Sequence, residues 1–259
     1  MGDNLETVIN SCGERLNDST ADNEIYMDSL VETCQNLMGR SRDPLDLFEA
    51  TELETIARSL SMDHDLSSEL WTLLLRIFVC IHMDRFHSAD SLICQFKRLT
   101  KRLVLPGLLK NLLLFYDGLT SAVLASQVDC REKRIRLNAA QKILRKLRSV
   151  DKDDSIMRNK AFMLDAQIHA ARGQEETALL LFHKSVDLAN DQGFTHEQGL
   201  AFELAGRMCQ QCNNRGVEAE LYMSQAKDYF GRWGAYAKVD QLELAGRHNS
   251  MGFSSQSNA

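Results

Sequence analysis

The chain has 259 residues, a net charge of -6 and 44% hydrophobic residues, enough for a substantial core. No apolar run reaches the roughly 18 residues that a membrane span needs. Residues 1–16 also lack the basic start and apolar centre of a signal peptide. Seven scattered cysteines are typical of a reducing compartment, so we expect a cytoplasmic protein with free thiols.

Proline is rare in this chain, with two residues in all, and its scarcity favours long helices. Pro44 and Pro106 both stand where a helix is expected to begin. Apolar residues at steps of three and four predict successive helices over 24–38, 44–60, 69–83, 87–103, 108–127 and 131–150. Residues 1–21 are polar, and we expect a tail or a frayed helix there.

The region 157–243 carries the clearest pattern, because one helical hairpin is followed by a second copy about 40 residues later. The matched pairs are Ala161 and Ala201, Leu164 and Leu204, Ile168 and Met208, Ala178 and Ala219, Phe182 and Met223, Ser185 and Ala226, Ala189 and Phe230, and Gly193 and Gly234. Their spacing follows one face of each helix. A two-helix unit repeated at this period predicts a stacked array.

The tetratricopeptide pattern is met in part, with Phe162 and Phe182 at large positions and Ala166 and Ala178 at small ones. Glycines at 173, 193 and 216 fall at predicted helix ends, where a positive φ costs glycine least. We therefore expect an all-α, right-handed tetratricopeptide-like solenoid of antiparallel helical hairpins, with about ten helices. It should run continuously over 22–245 and be followed by a disordered tail over 246–259.

Two strings inside the repeats are more specific: QGFTHEQGLAFELA from Gln192 to Ala205, and YFGRWGAYAKV from Tyr229 to Val239. Both are similar to the helical repeat region that follows an ATPase module in hybrid serine/threonine–histidine kinases and related signalling proteins. The resemblance covers roughly residues 157–243. It implies a scaffold between an ATPase and output domains, associated with kinase or ATPase modules.

The chain departs from that family by lacking its catalytic modules. It has no G-x-x-x-x-G-K-[ST] phosphate loop and no glycine-rich kinase loop. No cluster of acid, base and nucleophile can be assembled either, so we expect no catalysis, no cofactor and no metal. The chain is either free-standing or part of a larger protein.

Charge is unevenly distributed. Residues 1–70 carry 16 acidic and 4 basic side chains, whereas residues 97–152 carry 14 basic and 4 acidic ones. Much of the positive charge lies on the predicted helix 131–150, whose apolar stripe we place at Ile135, Ala139, Ile143 and Leu147. This charge asymmetry indicates binding to a partner or self-association. The acidic N-terminal region could neutralise the basic helix within one chain or between two chains.

The candidate partner-binding residues are Arg134, Lys142, Arg145 and Arg148, which would hold an acidic protein or peptide. A basic amphipathic helix also suits nucleic acid phosphates or anionic lipid, and it is often only a solvated face. The helix 131–148 lacks aromatic side chains that stack on bases, which disfavours single-stranded nucleic acid.

Three other features resemble functional sites, and each has a plainer structural explanation. Cys209 and Cys212 form a lone C-x-x-C, whereas zinc sites of the usual kind need two such pairs. His82 and His87 flank a turn at a spacing unlike a helical metal pair, so turn or capping roles are favoured. Trp233 ends a hairpin, where it either binds a peptide or fills the packing between repeats.

These observations favour a non-catalytic protein–protein interaction module, a scaffold in intracellular signal transduction. Its expected mechanism is a groove lined by the first helix of each hairpin. One alternative is a C-terminal regulatory segment of a larger ATP-dependent kinase or cyclase. Another is a nucleic-acid-associated regulator that uses the basic helix 131–148.

Overall fold

The computed structural model describes residues 3–16, 21–40, 66–150, 155–212 and 214–254. Within these ranges the chain forms eleven α-helices and no strand. In chain order the helices are α1 (Leu5–Leu16), α2 (Ala21–Leu37), α3 (Leu66–His82), α4 (Phe86–Leu99), α5 (Gly107–Leu124), α6 (Cys130–Val150), α7 (Arg158–Ala171), α8 (Glu175–Asp191), α9 (Thr195–Gln210), α10 (Gly216–Trp233) and α11 (Tyr236–Ser254). The all-α prediction is confirmed for these residues, and the helix predicted over 44–60 lies outside them.

The two hairpins identified in the sequence are α7–α8 and α9–α10, and most of their matched positions are buried in the same way. Ala178 and Ala219 both lie in the core, as do Leu164 and Leu204. The glycines after α8 and α10, Gly193 and Gly234, both take a left-handed φ, at 72° and 92°. These equivalent positions of the two copies share burial and backbone conformation.

Two details of the repeat differ from the expectation. Met223, which lies against Gly206, is only partly buried, whereas its counterpart Phe182 is fully buried. Gly216 opens α10 and has no positive φ, unlike Gly173 at 74°.

The N-terminal segment contains a packed helix within the range 1–21, where we expect a tail or a frayed helix. Helix α1 buries Leu5 completely and Cys12 almost completely, with Val8 and Ile9 packed against the core. These four side chains follow the i, i+3, i+4, i+7 spacing of one helix face, which gives α1 a docking stripe.

The last helix reaches into the region for which we expect a tail. Helix α11 continues to Ser254, so residues 246–254 of the predicted disordered tail are helical. Leu242 is buried, whereas Leu244 and the next three residues are exposed.

Helix α3 lies inside the fold, packed against α2, α4 and α5. It is apolar on almost every face, and side chains from Leu73 to Ile81 are buried with Arg76 as the exception. A helix without a polar face needs neighbours all round, and this one has them. No helix among the described ranges combines the length and apolar character that a membrane crossing requires.

The two ends of the array meet, which the sequence did not predict. The Asn4 amide donates to the Arg232 carbonyl oxygen at 3.0 Å, and the Gln241 amide donates to the Met83 carbonyl oxygen at 2.9 Å. Helix α11 also contacts α2, where Gly39 lies against Ala237. The helices therefore close on themselves around α3.

Candidate functional site

The groove expected along the first helices of the hairpins is filled by the chain itself. Every side chain of α9 from His196 to Gly206 is buried. Phe78 of α3 lies 5.7 Å from the His196 ring and 6.0 Å from the Trp233 ring, centroid to centroid. This stretch of α9 therefore offers a partner peptide no open surface.

The basic helix α6 packs through a different stripe from the one we expected. Its buried residues are Leu137, Ala140, Ile143, Leu144 and Leu147. Ile135 is 60% exposed, and Ala139 is exposed as well. Residues spaced strictly by four drift about 40° per step around a helix, so the predicted stripe leaves the core towards its N-terminal end.

The start of α6 is fixed by Asp129. Its carboxylate accepts hydrogen bonds from the backbone N–H groups of Arg131 and Glu132, both at 2.9 Å. An acidic cap of this kind satisfies two free N–H groups and interacts favourably with the helix dipole. The basic side chains that follow are therefore held on a firmly anchored helix.

Arg134, Lys142 and Arg145 project from the face of α6 opposite its buried stripe, and all three are exposed. At 100° per residue they fall within a sector of about 80°, and the span from the first to the last is about 16 Å. No carboxylate of the described residues pairs with any of the three. We call these residues the basic face.

Arg148, the fourth predicted binding residue, is held differently. Its guanidinium pairs with the Asp165 carboxylate of α7 at 2.5 Å, and the Arg148 side chain is half exposed. Arg136 is similarly engaged, with Asp90 of α4 at 3.2 Å and Glu132 at 2.8 Å. These two arginines connect helices, whereas the basic face is free of such contacts within the described ranges.

The acidic N-terminal region does not cover the basic face in the part of it that the structure describes. Arg40 of this region pairs with Glu6 at 2.9 Å, and none of the carboxylates whose side chains are described there, Asp3, Glu6, Asp28 and Glu32, pairs with α6. Whether residues 41–65 do so lies outside the described residues.

The cysteine pair lies at the end of α9, where Cys209 is buried and Cys212 is half-buried. Burial raises the pKa of Cys209, and burial together with a hydrogen bond to Glu175 raises that of Cys212 to about 11. Thiols with raised pKa form little thiolate at neutral pH, which disfavours redox and metal chemistry. Across the described part of the chain, no three His, Cys, Asp or Glu side chains are grouped as a metal site requires.

The two histidines of the α3–α4 turn have different surroundings. His87 is exposed, whereas His82 is buried and its Nδ1 lies 2.9 Å from the Phe78 carbonyl oxygen. His82 is thus a core residue and not the turn or capping group we expected. Trp233 is fully buried beside it, with ring centroids 5.6 Å apart, so it fills the packing.

A buried charge network, which the sequence did not reveal, joins α9 and α11 to the α3–α4 turn. The Glu203 carboxylate lies 2.7 Å from Lys238 and 2.6 Å from Arg207, and Arg207 reaches Asp84 at 2.5 Å. Burial would raise the pKa of Glu203, but the charges of Lys238 and Arg207 hold it below its usual value. Lys238 lies within the YFGRWGAYAKV string, and nothing in its spacing indicated an acidic partner 35 residues earlier.

No protein-family model matches the chain, and neither a curated protein nor a solved structure matches it at a significant level.

Proposed function

We propose that this chain is a non-catalytic, cytoplasmic interaction module in signal transduction, and that it holds an acidic protein partner on the basic face of α6. The observation that carries the proposal is the set of exposed cations at 134, 142 and 145, which have no carboxylate partner within the described residues. Unpaired cations on a rigid helix give a partner both charge complementarity and a fixed spacing.

The C-terminal end of α4 and the residues after it carry further positive charge. Asp90 of α4 pairs with Arg136 of α6, and Lys97 pairs with Asp117 of α5. Arg98, Lys101 and Arg102 are exposed.

The sequence resemblance to the repeat region of hybrid kinases supplies the proposed setting. In that setting the chain works beside a kinase or ATPase module, as a tetratricopeptide-like scaffold, and contributes no catalytic group of its own. The burial of α9 supports a binding surface on the outside of the fold, because a partner needs accessible side chains.

The test is capture of partners from a cell lysate with the full chain and with a variant carrying Arg134→Ala, Lys142→Ala and Arg145→Ala. We expect proteins with acidic segments to bind the wild type, to elute with rising salt and to be lost by at least tenfold from the variant. The matched control removes three exposed cations elsewhere, Lys110→Ala, Arg158→Ala and Lys184→Ala, and should keep the partners.

Nuclease treatment separates this proposal from the nucleic-acid alternative. If nuclease removes the captured material, the basic face binds nucleic acid and the acidic-protein proposal is wrong. Equal capture by both triple variants would also overturn it.

A further inference from the structure

A cavity of about 260 Å³ lies between α3, α5 and the N-terminal ends of α7 and α9. Its walls are mainly apolar and carry aromatic rings from Trp71 and Phe78 of α3, Tyr116 of α5 and Phe194 before α9. An apolar cavity of roughly 150 Å³ is known to take benzene, so this one has room for a fused two-ring molecule. It is separate from the basic face.

The far end of the cavity is polar and buried. Lys160, His196 and Glu197 line it, with 3%, 4% and 5% of their surfaces exposed. The Lys160 ammonium lies 2.5 Å from the Glu197 carboxylate and 3.2 Å from the Ile156 carbonyl oxygen. Nδ1 of His196 has no hydrogen-bond partner among the described residues.

The polar end carries no net charge. The Lys160 and Glu197 charges cancel, and burial holds the pKa of His196 well below its usual value, so the imidazole is neutral at neutral pH. Burying a charged ligand at this end would cost desolvation free energy. The Lys160–Glu197 pair cannot offset that cost, because its two charges already cancel. An uncharged ligand avoids that cost and leaves the ion pair intact.

We propose that this cavity binds one uncharged, mainly aromatic small molecule that carries a single hydrogen-bonding group. Aromatic walls favour offset and edge-to-face contacts with a flat ring system. The hydrogen-bonding group lies at the end formed by Lys160, His196 and Glu197. Few polar groups converging in an apolar cavity are typical of small-molecule sites.

The test uses indole as the probe, with calorimetric titration of the full chain and methyl NMR of its leucines. We expect one site with a dissociation constant on the order of 0.1 to 1 mM. Indene, which has the same shape without the N–H, should bind at least fivefold more weakly, and indole-3-acetate at least tenfold more weakly. Equal binding of indene, or tighter binding of indole-3-acetate, would overturn the assigned ligand class.

Leu112→Phe fills the cavity from α5 and should abolish saturable indole binding. Leu114→Phe is the matched control, because Leu114 is also half-buried on α5 but does not line the cavity. If Leu112→Phe does not fold by circular dichroism, Leu108→Trp replaces it, since Leu108 lines the cavity and is 48% exposed. Binding that survives the folded cavity variant, or no binding to the wild type, would overturn the site.

Discussion

His82 is an ionisable side chain that lies entirely inside an aromatic core. Phe78, His196 and Trp233 surround its ring, with centroids 4.1, 5.7 and 5.6 Å away. Burial lowers the pKa of His82 from 6.5 to about 4, against a hydrogen bond from its ring to the Phe78 carbonyl oxygen. The folded chain therefore holds this imidazole neutral over a range where the unfolded chain protonates it.

We expect the protein to lose stability as the pH falls from about 6.5 to 4. The pKa of His82 is lower in the folded state, so the unfolded state binds more protons in this window and gains free energy. The contribution of His82 is about 3 kcal/mol. Urea unfolding at pH 7 and pH 4.5 measures it.

The variant His82→Phe should unfold with a shallower pH dependence than the wild type over the same interval. His87→Phe removes an exposed imidazole and should keep the wild-type dependence. A His82→Phe profile parallel to the wild type would show that His82 does not couple folding to pH.

At the scale of the elements, the close approach of α5 to α6 and α7 depends on Gly118. A Cβ atom at this position would lie 2.7 Å from Leu164 Cδ2 and 3.0 Å from Ile143 Cγ2. Both neighbours are buried, so neither can move into free space. Only glycine lets the three helices pack at this distance.

We expect Gly118→Ala to lower the free energy of unfolding by about 1–3 kcal/mol, because the added methyl group overpacks the junction. Gly231→Ala is the control on α10, where an added Cβ meets no atom within 4 Å. That change should raise stability by roughly 0.5–1 kcal/mol through helix propensity. Chemical denaturation compares the two, and equal effects would contradict the packing account.

The sequence predicts single helices better than it predicts their neighbours. Periodic apolar residues located the hairpins α7–α8 and α9–α10, although α9 is buried on every face from His196 to Gly206. The same signal could not place α3, since a helix that is apolar on all sides indicates burial but not which neighbours cover it. The predicted stripe of α6 is wrong at Ile135. Apolar residues of α6 fit two possible stripes, and the one that begins at Leu137 faces the core.

The sequence predicts the positive charge of the candidate site but not the contacts that its side chains make. Counting cations correctly located exposed positive charge at Arg134, Lys142 and Arg145. It could not show that Arg148 is paired with Asp165, because that carboxylate comes from the next helix. The cavity beside Lys160 and His196 gave no sequence signal, since its walls come from separate helices.

At the scale of the whole molecule, the buried network of Glu203, Lys238, Arg207 and Asp84 helps to close the array. It holds α9 and α11 against the α3–α4 turn. The side chains of Glu203 and Lys238 are almost completely buried. Removing Glu203 therefore leaves the buried Lys238 ammonium without the carboxylate that it pairs with, whereas Glu203 without Lys238 would keep Arg207.

We expect Glu203→Leu to cost about 3–5 kcal/mol in the free energy of unfolding, since Lys238 loses its carboxylate. The double variant Glu203→Leu/Lys238→Met replaces the pair by apolar side chains and should recover part of this loss. Urea denaturation of both proteins gives the comparison. A double variant less stable than the single one would mean that the pair is not coupled in this way.

The central claim is that the acidic partner docks on the outer face of α6. Site-specific photo-crosslinking in cells tests it most directly, with a benzophenone side chain at Asn138, which lies between Arg134 and Lys142 on the exposed face. The same group at Thr177, exposed on α8, is the comparison. The account predicts a protein adduct at 138 that disappears with the Arg134, Lys142 and Arg145 alanine changes; an adduct only at 177, or one at 138 that survives those changes, would contradict it.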